Sequence, residues 1–215
     1  MRIKELTLVA ADLSAQAAFY LNDLGFEGSF ENNLLEIQAG TTTLRFVERA
    51  ESPYYHFAFL IPKGKLDEAI TFCEGRSIPL MQYEGKQVID FGTGTSIYFF
   101  DPAGNIVEFI DRPSLHFLSD HTFSATDTVC INEIGLPVKD PLQKVEELLD
   151  TFGIIPMDRS RFDNDFCWGG NFEGTFLVVK QGRKWLPTEL PAISNDFDIE
   201  FETSTGMHKT SFIGQ

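Results

Sequence analysis

Residues 3–9 read I-K-E-L-T-L-V, so that Leu6 and Leu8 alternate with Glu5, Thr7 and Val9. That period of two predicts a strand with one greasy and one mixed face. Asp12 follows as a helix cap, and Leu13, Ala17, Tyr20 and Leu24 form a single apolar stripe at helical spacing. Gly25 stands where a helix commonly ends in the left-handed conformation. Strands are predicted at 34–38 and 42–48 with Gly40 as the turn between them, and one more short strand at 26–30. The unit is thus one strand, one helix and up to three further strands.

The order recurs along the chain. An alternating strand at 55–61 leads to a helix at 66–73 striped by Leu66, Ala69, Ile70 and Cys73 and closed by Gly75. Strands at 87–91, 95–100 and 106–110 follow, the last two joined by the turn Asp101-Pro102-Ala103-Gly104-Asn105. A third unit starts near Cys130. Glu133 precedes Asp140 by seven residues and Asp140 precedes Gly153 by thirteen, the intervals that separate Glu5, Asp12 and Gly25. Its helix stripe is Leu142, Val145, Leu149 and Phe152, its later strands lie at 165–168 and 175–180, and 197–202 opens a fourth unit that then stops. The fold class is α+β, built of tandem β-α-β-β-β units. Residues 1–113 form a two-unit domain, 114–129 a linker, and 130–215 a third unit with a partial fourth. Residues 181–195 read as a long surface loop.

Composition narrows the partners. The chain of 215 residues is 43% hydrophobic and 13% aromatic, which suits a packed core. Its formal charge of −15 repels phosphate backbones and anionic membrane surfaces, so neither nucleic acid nor membrane is expected as a partner. Cys73, Cys130 and Cys167 are far apart and odd in number, which suits buried thiols in a reducing compartment. With the first strand starting at once and no apolar run of membrane length, the expected location is cytoplasmic.

Asp12-Leu13 and Phe19-Tyr20 in the first helix, Leu24-Gly25-Phe26 after it and the D-P-x-G-N-x-x-E-F run from Asp101 to Phe109 are together specific. In this tandem of units the sequence resembles the vicinal oxygen chelate superfamily, which includes glyoxalase I, fosfomycin-resistance thiol transferases, extradiol dioxygenases and bleomycin-resistance proteins. The resemblance covers residues 1–112 well and 130–203 by spacing alone. It implies a curved sheet of two paired units whose concave face holds one divalent metal, with the ligand positions falling on Glu5, His56 and Glu108. Strand alternation agrees, because it groups Glu5 with Thr7 and Val9, His56 with Ala58 and Leu60, and Glu108 with Ile106 and Ile110. Leu6, Leu8, Phe57, Phe59, Val107 and Phe109 then face the helices.

The family has His at the first position and this chain has Glu5. One imidazole with two carboxylates favours Mn²⁺, Mg²⁺ or Fe²⁺ over Zn²⁺ and departs from the iron oxygenase triad. Glu108, an acid among Ile106, Val107, Phe109 and Ile110, needs a partner and is the catalytic candidate. Tyr98, Arg45 and Ser96 face the same cleft by alternation as substrate-binding candidates. Glu133 and Asp198 repeat the places of Glu5 and His56, but no counterpart of Glu108 follows, so no second metal site is expected. His116, His121 and His208 read as solvated. The expected function is a metal-dependent lyase, isomerase or thiol transferase acting on a small oxygen-bearing metabolite by stabilising an enolate or alkoxide. The alternative is a non-catalytic ligand-sequestering protein of the bleomycin-resistance type. The open sheet of the second half requires cover from the tail, the first half or another chain, and a homodimer is expected.

Overall fold

The computed structural model describes residues 1–214 and contains two curled sheets with three helices against them. The first unit supplies β1 (Arg2–Ala10), α1 (Leu13–Ala17), β2 (Glu27–Glu31), β3 (Leu34–Ala39) and β4 (Thr42–Glu48). The second supplies β5 (His56–Leu60), α2 (Leu66–Gly75), β6 (Ile89–Asp90), β7 (Thr95–Phe100) and β8 (Ile106–Asp111). The third supplies β9 (Cys130–Val138), α3 (Pro141–Phe152), β10 (Phe166–Asn171) and β11 (Gly174–Lys180), and the fourth β12 (Phe197–Thr203) and β13 (Gly206–Phe212).

The helices begin as their caps dictate. Asp12 Oδ1 accepts from the Ala15 amide at 2.9 Å and Asp140 Oδ1 from the Gln143 amide at 3.0 Å, while Gly153 ends α3 in the left-handed region at φ 62°. Beyond Ala17 the first helix widens into a π turn over Ala18–Asp23, closed by the Leu24 amide on the Phe19 carbonyl. β6 is shorter than the predicted 87–91, because Asp90 Oδ1 accepts from the Gly92 amide at 2.7 Å and turns the chain away from the sheet.

The pairing of units differs from the expected one. One sheet has the order β13-β12-β1-β4-β3-β2 and the other β10-β11-β9-β5-β8-β7-β6. Unit one therefore pairs with the partial fourth through β1 and β12, and unit two with the third through β5 and β9, both antiparallel. Residues 1–113 do not close one curved sheet by themselves. The expected opening strand of the fourth unit has β1 on one edge and the chain's own tail, β13, on the other. The need for cover that motivated a second copy is thus met within the chain.

Alternation along the strands is as the sequence requires. Leu6, Leu8, Phe57, Phe59, Val107 and Phe109 lie in the main core with residues of all three helices, whereas Ala58, Leu60 and Ile110 pack on the opposite side. The later part of 114–129 packs on the core, with the Phe123 ring between those of Phe72 and Phe109. The sheets meet at the β3–β4 turn. The Thr41 amide donates to the Val129 carbonyl at 2.9 Å, and Thr42 Oγ1 accepts from the Ile131 amide at 3.1 Å while donating to the Ile3 carbonyl at 2.7 Å.

Gly40 makes that junction possible. It has φ 56°, and a Cβ there would stand 2.0 Å from the Val129 carbonyl oxygen. Gly40→Ala is expected to lower stability by at least about 2 kcal/mol, from the backbone conformation and the clash together. Urea unfolding checks this, and an unchanged midpoint would show that the junction is not required.

Candidate metal and substrate site

The site is built on β5, the strand between β9 and β8. Ala58 lies opposite Glu133 on β9 and opposite Glu108 on β8, while His56 lies two residues back on the same face. The methyl of Ala58 leaves the space between the two carboxylates open. One ligand atom from each of His56, Glu108 and Glu133 lies within 4.8 Å of the others, and all three residues are buried, at 5%, 2% and 5% exposure. Among the described residues this is the one His, Cys, Asp and Glu cluster with such spacing.

The turn between β7 and β8 aims the imidazole. Asp101 Oδ1 accepts from the amides of Ala103 and Asn105, and its Oδ2 from Gln16, the Tyr20 hydroxyl and the Asn105 side chain, at 2.7 to 3.0 Å. Asn105 Oδ1 in turn accepts from the Tyr55 amide at 2.7 Å, and the Ile106 amide donates to the Tyr55 carbonyl at 2.8 Å. The D-P-A-G-N run is therefore a structural clasp joining α1, the β7–β8 turn and the start of β5. The Ile106 carbonyl lies 3.0 Å from His56 Nδ1, and a carbonyl can only accept, so Nδ1 carries the proton.

His56 Nε2 is then a lone pair, and it lies 3.4 Å from Glu108 Oε2. Burial lowers the His56 pKa, which keeps the ring neutral. Burial pushes Glu108 up to about 7, against the opposing influence of Ser96, Arg112 and Tyr98. Glu133 is likewise pushed to about 7, first by burial and further by the Glu108 charge, with Arg112 pulling it down. Two acceptors facing each other require either a proton on Glu108 or a cation between them. The donor set, one imidazole nitrogen and two carboxylates without enough positive charge to hold both ionised, fits a divalent metal.

Arg112, just past β8, is 2% exposed and forms an ion pair with Glu133. It also donates through Nε to Asn132 Oδ1 at 2.8 Å. Asn132 is the extra residue of a β-bulge in β9, where the register shifts between Ala58 and Phe59. Tyr98 faces Glu108 across β7 and β8, and burial pushes its hydroxyl pKa well above the ordinary value. Ser96 lies near enough to hold the Glu108 pKa down, yet its Oγ completes no full hydrogen bond. Trp185 closes the top, its ring 4.9 Å from that of His56, and a Cβ on Gly135 would meet it at 2.8 Å. The cavity beneath holds about 90 Å³.

Of the residues predicted from sequence, His56, Glu108, Tyr98 and Ser96 come together here, whereas Glu5 and Arg45 do not. Glu5 is on β1 in the other sheet, in an ion pair with Arg45, and Arg45 Nε also donates to Glu36 at 2.5 Å. The place beside His56 and Glu108 expected of Glu5 is held by Glu133, whose spacing matched that of Glu5. Arg112 and the aromatic roof carried no recognised signal. Residues 181–195, expected as a surface loop, hold Trp185 at 4% exposure by folding back on themselves, with the Trp185 amide on the Leu190 carbonyl and the Ala192 amide on that of Arg183.

No family model matches the chain, and no curated protein matches it. Solved structures do. A putative dioxygenase from Bacillus subtilis subsp. subtilis str. 168 aligns over 83% of this chain with TM-score 0.61 and 16% identity, and the chain spans 63% of that protein's length. A lactoylglutathione lyase from Agrobacterium tumefaciens is 28% identical over 51% of this chain and 92% of its own, with TM-score 0.44. A glyoxalase/bleomycin resistance protein/dioxygenase from Nocardioides is 21% identical over 57% of this chain and 87% of its own, with TM-score 0.43. The architecture of paired β-α-β-β-β sheets is shared across most of the chain with the first of these, which places the two chains in one fold.

Proposed function

We propose that the chain is a metal-dependent enzyme of the glyoxalase-like kind, with His56 Nε2 and the carboxylates of Glu108 and Glu133 as the protein ligands. The observation that carries the reading is the 3.4 Å approach of two acceptors, His56 Nε2 and Glu108 Oε2, in a buried site. Oxygen-rich ligation favours Mn²⁺, Mg²⁺ or Fe²⁺ over Zn²⁺. A cation held by His56, Glu108 and Glu133 would supply Lewis acidity toward a small oxygen-bearing substrate. Each side chain then has its own task. The Ile106 carbonyl fixes the imidazole tautomer. Arg112 orients Glu133. Glu108, whose pKa of about 7 belongs to the metal-free site, is the carboxylate placed to take a proton from carbon next to a carbonyl and to return it. Tyr98, kept protonated by burial, donates to the oxygen on which charge develops. Trp185 excludes water. These roles suit lyase, isomerase or thiol-transfer chemistry through an enolate.

Calorimetric titration of Mn²⁺ into chelator-treated protein tests the ligand set. Wild type is expected to bind, Glu133→Gln to bind at least about tenfold more weakly, and Glu5→Gln to bind as wild type does. Gln at 133 keeps an oxygen for Arg112, so the fold should survive. No heat with wild type at millimolar metal overturns the reading, and weakened binding in Glu5→Gln overturns the assignment of the first ligand.

The carboxylates also set a pH dependence. Their folded pKa values are raised to about 7 from 4.5, so the protonated forms favour the folded state and that stability is lost as pH rises through about 7. The lowered His56 pKa acts below about 6.5, so the window from 6.5 to 8.5 isolates the carboxylates. Metal-free protein is expected to lose about 1 kcal/mol per carboxylate across that window, while Mn²⁺ affinity rises about tenfold as protons are released. Urea unfolding in EDTA and titration in two buffers of different ionisation enthalpy check both signs.

A further inference from the structure

The cavity above the three ligands does not end at Trp185. It shares Phe91, Phe166, Trp168, Arg183 and Leu186 with an outer chamber of about 290 Å³ that also touches Arg161. The wall of this passage is aromatic, with the rings of Phe166 and Trp168 edge to face at 5.5 Å. Two guanidinium groups lie on it, Arg183 at 5.2 Å from the Phe166 centroid and Arg161 at 4.8 Å from that of Trp168.

These two cations differ from most of their kind here. Arg2, Arg45, Arg49, Arg112 and Arg159 each pair with a carboxylate, as expected in a chain with 32 acidic and 17 basic residues. Among the described residues Arg161 and Arg183 have no carboxylate within ion-pair distance, and the one side-chain hydrogen bond either makes there is from Arg183 Nη1 to the Lys184 carbonyl at 3.3 Å. Stacking occupies the face of a guanidinium and leaves its five in-plane donors free. Trp168 Nε1 is another donor on this wall, buried and without a partner among the described residues. Donors left open beside apolar rings at the entrance to a charged site select a ligand rather than stabilise the fold.

We infer that the site takes a flat aromatic anion, whose ring lies against the Phe166 and Trp168 wall while its carboxylate is held by Arg161 and Arg183. This inference rests on the reading of the inner cavity as a substrate site and adds the class of substrate. Recognition at the mouth does not need the metal, which separates its failure from that of the metal assignment.

The probes are 1-naphthoate and its neutral analogue 1-naphthylmethanol, titrated calorimetrically into chelator-treated protein and again with Mn²⁺. The naphthoate is expected to bind about tenfold tighter than the alcohol in both conditions. Arg161→Gln and Arg183→Gln should each cut naphthoate affinity about fivefold and leave the alcohol within about twofold, and Arg183→Lys should recover part of the loss. Both arginines are peripheral to the core, so the variants should fold as wild type does. Equal affinity for the two probes overturns the inference, as does indifference to the arginine substitutions or the absence of binding at millimolar probe. A naphthoate preference without Mn²⁺ binding would sustain the mouth and remove the metal reading alone.

Discussion

A carboxylate buried beside another acceptor is the constraint on which this structure turns. His56 cannot relieve it, since the Ile106 carbonyl holds the ring proton at Nδ1 and leaves a lone pair facing Glu108. Moving the proton to Nε2 would leave the carbonyl facing a second lone pair. The clasp around Asp101 fixes this arrangement, because the same five-residue turn that closes β7 to β8 also ties down Tyr55, the residue before His56. A motif that reads as a turn signal is thus the device that aims the His56 imidazole.

The two sheets answer the same electrostatic problem in opposite ways. Glu5 and Glu133 are counterparts by spacing, and each is preceded by the bulged residue of its strand, Lys4 in β1 and Asn132 in β9. In the first sheet Arg45, on the neighbouring β4, supplies the opposing charge to Glu5, and Lys209 adds a second at 4.0 Å. In the second sheet the place of Arg45 on the neighbouring strand is held by Leu177, and Lys209 has its counterpart in Glu108. One sheet is neutralised by side chains. The other keeps an acceptor-rich space, with Arg112 compensating for one carboxylate only.

This history explains what could be read from sequence. Alternation is local, so the inward faces of β5, β7 and β8, and hence His56, Glu108, Tyr98 and Ser96, were legible before any pairing was known. Which strand lies beside β5 is not local. Glu5 and Glu133 have the same spacing to their caps and helix ends, and choosing between them requires knowing that β5 pairs with β9 across residues 114–129. Arg45 followed Glu5 into the wrong sheet for the same reason. Trp185 escaped because the segment around it is held by turns and backbone bonds with no period, so its proline and basic residues read as surface.

Replacing Glu5 by Glu133 changes the chemistry as well as the address. Two carboxylates against a divalent cation would leave a site close to neutral, a weakened Lewis acid. Glu133 brings Arg112 with it, buried and paired, and that additional positive charge would make a metal-occupied site net cationic. Arg183 adds to this field, since it is near enough to help depress the basicity of His56. A chain with formal charge −15 repels anions over most of its surface. Inside this cavity, where the dielectric is low and screening by salt is weak, a divalent cation held as proposed would reverse the local sign. In the proposed enzyme, an oxyanion forming on substrate would therefore be stabilised by the same groups that would draw an anionic substrate through the mouth.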